Sequence, residues 1–225
     1  MKPKKIIGII CIILSLCLFI IPPIIKHVEY QKQEAEKDAL LNEIENLLKN
    51  TETTESNEPT TVPEETLPPS TTQNPTETTP PVYKPYRTST NEEVDGILKI
   101  PAIDLELPIL TNVTEKGLNK TCARVTNTNP PGCNNYCIMG HTMDAYGKIF
   151  NRLKEVKKGD IVTVIAKDCT YNYKIYETFK TKGLDMNILE DVKDKQIITL
   201  FCCSYHVKNG RLVVRGELTS IIPNN

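Results

Sequence analysis

A cysteine and a histidine at the ends of two separate apolar stretches are the residues of this chain best suited to covalent chemistry. His141 follows one stretch, and the adjacent pair Cys202 and Cys203 ends another. A thiolate attacks an acyl carbon while an imidazole moves the proton, so a cysteine and a histidine are the minimum set for thiol acyl transfer. The other two histidines are weaker candidates, because His27 lies beside an apolar N-terminal run and His206 lies in a polar loop.

Strand periodicity separates the two adjacent cysteines. Side chains alternate along the predicted strand 197–203, so that one face carries Ile198, Leu200 and Cys202 and the other carries Thr199, Phe201 and Cys203. The first face is uniformly apolar and is expected to be the core, which makes Cys202 an inert packed thiol. The second face, with Cys203, is expected to line a groove. A bond between the adjacent cysteines would form a strained ring, and the chain has no Cys-x-x-Cys pair of the zinc-ribbon or thioredoxin type.

Two arginines on the next predicted strand are candidates for binding a substrate carbonyl or a developing oxyanion. Alternation along 211–218 places Arg211, Val213 and Arg215 outward and Leu212 and Val214 toward the core. A two-residue turn at Asn209-Gly210 would pair Ser204 with Arg215 and bring Arg215 near the thiol. A looser loop would bring Arg211 there instead. Periodicity does not choose between them, and two solvated arginines on an outer strand face are a third interpretation.

The strands that must position these residues lie in the C-terminal part of the chain. Short alternating apolar segments with turn residues between them predict strands at 96–101, 105–110, 136–141, 160–166, 170–179, 197–203 and 211–218. One helical stretch, 148–156, would place Ile149, Leu153 and Val156 on one face. Many short strands, frequent turns and little helix are typical of a mainly β protein, an antiparallel sandwich or barrel.

The chain before this domain divides into three segments. Residues 1–28 contain three lysines followed by the apolar run 6–25, which at about 1.5 Å per residue is long enough to cross a bilayer core of about 30 Å. The basic residues favour a cytoplasmic N-terminus with everything after the run outside the cell. A cleaved signal peptide is the alternative, although no small-x-small cleavage pattern follows the run. Residues 29–50, with Leu41, Ile44 and Leu48 at helical spacing, predict a juxtamembrane helix.

Residues 51–92 are predicted to be a disordered stalk, because they hold about half of the 16 prolines and too few apolar residues to form a core. The folded domain is then expected at 93–222.

Composition excludes nucleic-acid binding, since the net charge is −1, aromatic residues make up 6% and there is no tryptophan. A domain of roughly 130 residues is also too small for a TIM barrel.

Three blocks in a fixed order resemble the sortases, the membrane-anchored cysteine transpeptidases of Gram-positive bacteria. Ile138-Met139-Gly140-His141, with Pro131-Gly132 and Asn135 before it, resembles the histidine motif of that family. Thr199-Leu200-Phe201-Cys202-Cys203 resembles the TLxTC motif, with Cys202 in place of its second threonine. Arg211-Leu-Val-Val-Arg-Gly216 resembles the arginine-bearing last strand. The likeness extends over about 95–218.

The resemblance implies a closed eight-stranded barrel with one or two short helices and a groove for an LPxTG-like sorting peptide. It implies that Cys203 attacks the peptide, that His141 protonates the departing amine and that Arg211 stabilises the oxyanion. The implied partners are secreted proteins with a C-terminal sorting motif and an amine from a peptidoglycan precursor or a pilin. Only seven residues separate Cys203 from Arg211, which favours a class A-like or class D-like enzyme over class B. No cofactor is implied. Calcium is possible through acidic residues such as Glu106 and Glu115, although no spacing establishes a site.

Three alternatives remain at this stage. One is a pilin-polymerising sortase. Another is a different exported cysteine enzyme of the cell wall, such as an L,D-transpeptidase, which is expected to carry a His-Gly pair where this chain has Phe201-Cys202. The third is a thiol-binding or metal-binding module that uses Cys202, Cys203 and His206. The six cysteines after residue 95 would also permit disulfides.

Overall fold

The computed structural model of the protein describes residues 3–51, 83–143, 145–183, 185–203 and 209–224, with side chains from residue 19 to 49 in the first helix. The helices are α1 (Pro3–Thr51) and α2 (Glu115–Lys120). The strands are β1 (Tyr86–Arg87), β2 (Glu93–Ile100), β3 (Leu105–Leu110), β4 (Cys122–Arg124), β5 (Asn135–Met139), β6 (Ile161–Ile165), β7 (Cys169–Lys180), β8 (Ile197–Cys203) and β9 (Arg211–Pro223). Short 3-10 helices are present at Pro101–Ile103, Leu153–Glu155 and Met186–Leu189. Most of the predicted stalk, residues 52–82, and His206 lie outside the described residues.

Eight of the strands close into a barrel. The strand order is β1-β2-β3-β4-β5-β8-β9-β7-β6, and a further pairing of β2 with β6 closes the ring formed by β2 to β9. The prediction of a mainly β, eight-stranded barrel is therefore confirmed. The expectation that the strands are all antiparallel is wrong, because β3 pairs with β4, and β5 with β8, in parallel. Parallel neighbours end at the same edge of the sheet, and this arrangement determines the geometry of the candidate site.

The two faces of β8 contact different apolar clusters. Ile198, Leu200 and Cys202 belong to the main cluster inside the barrel, as their alternation predicts. On the outer face, Phe201 is only 3% exposed, because Ile188 of the 3-10 helix Met186–Leu189 packs against it. The prediction that Thr199 and Phe201 line an open groove is therefore wrong. Only the end of the strand, at Cys203, is exposed on this face.

The predicted helix 148–156 is reduced to the 3-10 helix Leu153–Glu155. Its three apolar residues are nevertheless buried, with Ile149 at 5%, Leu153 at 0% and Val156 at 4% exposure. Helical spacing thus identified these three buried side chains correctly but overestimated the length of the helix. Two short elements, α2 and β4, have too few residues to show a periodic pattern and were not predicted.

The C-terminal part of α1 packs against the barrel. Leu40 and Ile44 are buried in a second apolar cluster together with Val94 of β2, Leu110 of β3 and Leu118 of α2. The predicted juxtamembrane helix 29–50 is therefore one part of a longer helix that contacts the domain. In the part of the chain that the structure describes, no helix is both long and apolar enough to span a bilayer. The side chains of residues 6–18 of the predicted span lie outside the described ones.

Contacts with the barrel begin before residue 93, within the last ten residues of the predicted stalk. Tyr86 of β1 pairs with Val94 of β2. The Tyr83 hydroxyl donates a hydrogen bond to the buried Asp95 carboxylate, which also forms an ion pair of 3.1 Å with Arg124. Burial raises the pKa of the Asp95 carboxyl, and the Arg124 guanidinium acts in the opposite direction. Residues from Tyr83 onward are thus held to the barrel by apolar and polar contacts.

Candidate active site

The two cysteines at the end of β8 lie in opposite environments. Cys202 is 1% exposed, its sulfur lies 3.9 Å from the carbonyl oxygen of Phe150, and burial raises its pKa to about 11. Cys203 is exposed to solvent at the last position of the strand. At neutral pH a buried thiol of this pKa stays protonated, whereas the nucleophile in thiol chemistry is the thiolate. Cys203 is therefore the thiol of this strand that a substrate can reach.

The parallel pairing of β5 with β8 brings His141 to the same edge of the barrel as Cys203. Met139 is the register partner of Phe201, and the Gly140 N–H donates to the Phe201 carbonyl at 3.2 Å. Continued by two residues, this register sets His141 beside Cys203. The Thr142 hydroxyl donates to the Cys203 carbonyl at 2.6 Å, which links the two chain segments directly after the histidine.

The backbone around His141 is held by the segment that follows it. The Phe150 N–H donates to the His141 carbonyl at 3.1 Å, and Thr142 forms an isolated bridge with Ile149. A Cβ atom at Gly140 would lie 2.7 Å from the Phe150 ring, which is fully buried and has little room to move. The glycine before the histidine is thus required for close packing against this ring. His141 itself is half-buried.

The β8–β9 register places Arg211 opposite Cys203. Arg211 is the direct partner of Cys203, whereas Arg215 is the partner of Thr199. This register agrees with the looser loop, which brings Arg211 to the thiol, and not with the tight turn, which would bring Arg215 there. The Arg211 Nη1 donates to the carbonyls of Asn209 at 3.2 Å and Gly210 at 3.1 Å, so the guanidinium lies against the end of its own loop.

Arg215 is engaged elsewhere. Its side chain is 15% exposed, lies 3.4 Å from Glu177 and stacks over the Phe179 ring at 5.4 Å. It lies four residues along β9 from Arg211, which is about 13 Å at the usual rise of a strand. Arg215 therefore belongs to the outer wall of the barrel, and among the described residues His141, Cys203 and Arg211 lie at the neighbouring ends of β5, β8 and β9.

Two threonines that the sequence analysis did not single out support this edge. Thr142 bonds to the Cys203 carbonyl, as described above. Thr181, directly after β7, accepts a hydrogen bond from the Arg211 N–H at 3.1 Å, and its own N–H donates to the Arg211 carbonyl at 2.9 Å. Thr142 adjoins the histidine and could have been suspected from that position. Thr181 carries no sequence signal, because its partner is 30 residues away.

Cysteines of the described residues form neither a disulfide nor part of a metal-binding group. Cys202 points into the barrel and Cys203 out of it, so the two sulfurs cannot bind one ion together. All six cysteines from Cys122 to Cys203 are free thiols. Over the described ranges, no group of three or more His, Cys, Asp or Glu side chains is arranged to hold a metal ion. Glu106, one of the acidic residues considered for calcium, forms an ion pair with Lys99 at 2.6 Å.

Comparison with known proteins matches the region of the chain that carries the three sequence blocks. The family model described as the sortase domain matches residues 98–219, more than half of the chain. Sortase A of Bacillus anthracis is 31% identical over 127 residues, which cover 56% of this chain and 60% of that protein. The chain thus spans about three fifths of the length of this curated relative.

Solved structures have the same fold. Sortase A of Listeria monocytogenes superposes with a TM-score of 0.55 at 24% identity, covering 58% of this chain and 90% of that one. The sortase D5 transpeptidase of Clostridium perfringens superposes with a TM-score of 0.50 at 25% identity, covering 55% and 78%. Relatives of classes A and D are consistent with the predicted subclass. Because the family model matches more than half of the chain, in a region that contains His141, Cys203 and Arg211 and parts of all eight barrel strands, the chain belongs to the sortase family.

Proposed function

We propose that this protein is a cysteine transpeptidase that cleaves an LPxTG-like sorting motif in secreted proteins and transfers the acyl group to a cell-wall amine. The observation that carries the proposal is the alignment of three strand ends. Cys203, at the end of the central strand β8, has the segment with His141 on one side, after β5, and Arg211 of β9 on the other side. This is the constellation that thiol acyl transfer needs: a nucleophile, a proton carrier and a donor for the oxyanion.

In the proposed first step, the Cys203 thiolate bonds to the carbonyl carbon of the motif's threonine, and the carbonyl oxygen becomes an oxyanion. When the oxyanion collapses, the bond to the leaving amine breaks and the His141 imidazolium gives that amine its proton. A thioester at Cys203 remains. An incoming amine attacks the thioester, passes a proton to His141 and releases the Cys203 thiolate, so that the enzyme returns to its starting state.

Arg211 is the proposed oxyanion donor. A guanidinium carries five N–H groups in a planar fork, and the two hydrogen bonds that the Arg211 side chain donates to described residues both use Nη1. We assign the N–H groups on Nε and Nη2 to the developing oxyanion. Holding the guanidinium against the carbonyls of its own loop limits its freedom before the substrate arrives, which lowers the reorganisation needed in the transition state.

We further propose that the protein is a single-pass plasma-membrane protein with a cytoplasmic N-terminus and an extracellular catalytic domain. The apolar run 6–25 after three lysines supports this topology. The contact between Ile44 of α1 and the barrel suggests that the domain lies close to the membrane surface. In that position it would meet secreted proteins with a C-terminal sorting motif and lipid-linked peptidoglycan precursors.

The test is to incubate the purified full chain with an LPxTG-type peptide library and candidate amines, and to identify the products by mass spectrometry. We expect cleavage after the motif's threonine, a thioester adduct on Cys203 and transfer to at least one amine. Cys203→Ala should abolish both steps, and the matched variant Cys202→Ala should stay folded and at least partly active. Adduct formation on Cys202 alone, or cleavage by the Cys203→Ala variant, would refute the mechanism. A strict preference for a pilin lysine over peptidoglycan amines would identify a pilin-polymerising enzyme.

A further inference from the structure

The connection between β7 and β8, residues 181–196, crosses the outer face of the barrel next to the candidate site. It starts at Thr181, which exchanges two hydrogen bonds with the backbone of Arg211. Further along, Ile188 is buried in the same apolar cluster as Phe201, which lies two residues before Cys203 on the same face of β8. The connection therefore runs from Thr181, which bonds to Arg211, to β8, the strand that carries Cys203. It borders the face onto which Cys203 opens.

A buried asparagine holds this connection in place. Asn135, the first residue of β5, is 0% exposed, and its Nδ2 donates to the carbonyls of Ile188 at 3.0 Å and Glu190 at 2.8 Å. Its Oδ1 accepts a hydrogen bond of 2.7 Å from the hydroxyl of Thr199, which is also fully buried. Both N–H donors and the acceptor of the amide are thus used, as buried polar groups require. The amide links the connection to β5 and β8, the strands that lead to His141 and Cys203.

The Asp191 carboxylate also fixes this connection. Asp191 accepts hydrogen bonds from the Asn135 N–H at 3.2 Å, from Asn129 Nδ2 at 2.8 Å and from Asn134 Nδ2 at 3.0 Å. Hydrogen bonds to an ionised acceptor are stronger than neutral ones. Five hydrogen bonds, from Asn135 and to Asp191, therefore join residues 188–191 to the first residue of β5 and to the segment before it.

We propose that Asn135 and Asp191 are positioning residues that hold the β7–β8 connection as a preformed wall of the peptide cleft. The proposal rests on the proposed function, because the wall serves a peptide that reaches Cys203. A wall that is already ordered spares the peptide the entropic cost of ordering it, and the benefit appears as tighter binding. Asn135 and Asp191 touch neither the sulfur nor the imidazole, so their contribution is to peptide binding rather than to the chemical step.

Two variants of the full chain test this role. Asp191→Asn removes the charge of an exposed carboxylate, and Asn135→Asp replaces the buried Nδ2 donor with an oxygen that faces two carbonyls. We expect hydrogen exchange of the amides in 185–191 to accelerate and KM for an LPxTG-type peptide to rise, each by about 10-fold, the effect of losing a charge-assisted hydrogen bond. We expect kcat to change by less than about 3-fold, and site-resolved alkylation of Cys203 by iodoacetamide to keep its rate. Asp194→Asn is the matched control, since it removes one charge from the same connection but none of the three bonds to Asp191.

Unchanged exchange and unchanged KM in both variants would overturn the proposal. A fall in kcat or in Cys203 alkylation that accompanies the KM change would also overturn it, because the residues would then support the catalytic groups themselves. If the buried charge of Asn135→Asp prevents folding, Asp191→Asn carries the test with the same two readouts. Hydrogen exchange needs no turnover. A wild-type chain that cleaves no sorting peptide would therefore disprove the proposed function, while the exchange data would still decide whether the wall is held by these residues.

Discussion

Replacing Arg211 with alanine tests the assignment of the oxyanion donor. Arg211 is the register partner of Cys203, whereas Arg215 pairs with Thr199, about 13 Å further along the strand. A guanidinium at that distance cannot reach a carbonyl bonded to the sulfur while it also contacts Glu177 and Phe179. The two arginines of β9 should therefore give opposite results, one in catalysis and the other in stability.

The magnitudes follow from these contacts. Loss of one oxyanion donor costs about 100- to 1000-fold in kcat, or about 2.7–4 kcal/mol of transition-state stabilisation, and we expect Arg211→Ala to fall in this range. Arg211→Lys keeps the charge but loses the planar fork, so its kcat should lie between wild type and the alanine variant. Arg215→Ala loses an ion pair whose carboxylate is 42% exposed, worth at most about 1 kcal/mol, and a cation–π contact worth about 0.5–1 kcal/mol. Its kcat should stay within about 3-fold of wild type, because a structural loss of this size leaves most molecules folded.

The assay is steady-state cleavage of an internally quenched LPxTG-type peptide by the full chain, with thermal unfolding measured on the same samples. Arg211→Ala should lose kcat with little change in melting temperature, and Arg215→Ala should lower the melting temperature with little change in kcat. A larger loss of kcat in Arg215→Ala than in Arg211→Ala would show that the observed β8–β9 register is not the one in which the enzyme works.

Three further results are expected. At pH 7.5 iodoacetamide should alkylate Cys203 and spare Cys202, because burial raises the pKa of Cys202 to about 11. Equal labelling of the two cysteines, measured by peptide mapping, would contradict the observed burial. Gly140→Ala should lower both kcat and the free energy of unfolding, because the added Cβ would overlap the buried Phe150 ring. Denaturant titration should show a loss of about 1–3 kcal/mol in the free energy of unfolding, and wild-type values of both quantities would disprove the prediction. Ile44→Ala should weaken the contact of α1 with the barrel by about 2–5 kcal/mol, seen as faster limited proteolysis of the helix, and unchanged proteolysis would count against this contact in solution.

The alternation of side chains along a single strand was sufficient to predict part of the candidate site. The alternation of side chains in β8 separated the buried Cys202 from the exposed Cys203, because the direction of a side chain in a strand depends only on its position along that strand. Alternation also placed Phe201 correctly on the outer face, but the inference that this face is open was wrong, because Phe201 is only 3% exposed. Whether an outer face is open depends on what covers it, and here Ile188, from a connection with no periodic pattern, packs on that residue.

The sequence by itself identified His141 and Cys203 as catalytic candidates, through residue type and strand periodicity, and the family resemblance favoured Arg211 over Arg215, which periodicity had left open. Only the tertiary structure decided that β5 and β8 run parallel, which brings Thr142 to the Cys203 carbonyl across 61 residues of chain. It also decided that Arg211 rather than Arg215 pairs with Cys203. The physical reason is that hydrogen-bond partners of a strand are chosen by the closure of the whole barrel, whereas side-chain alternation is a property of each strand by itself.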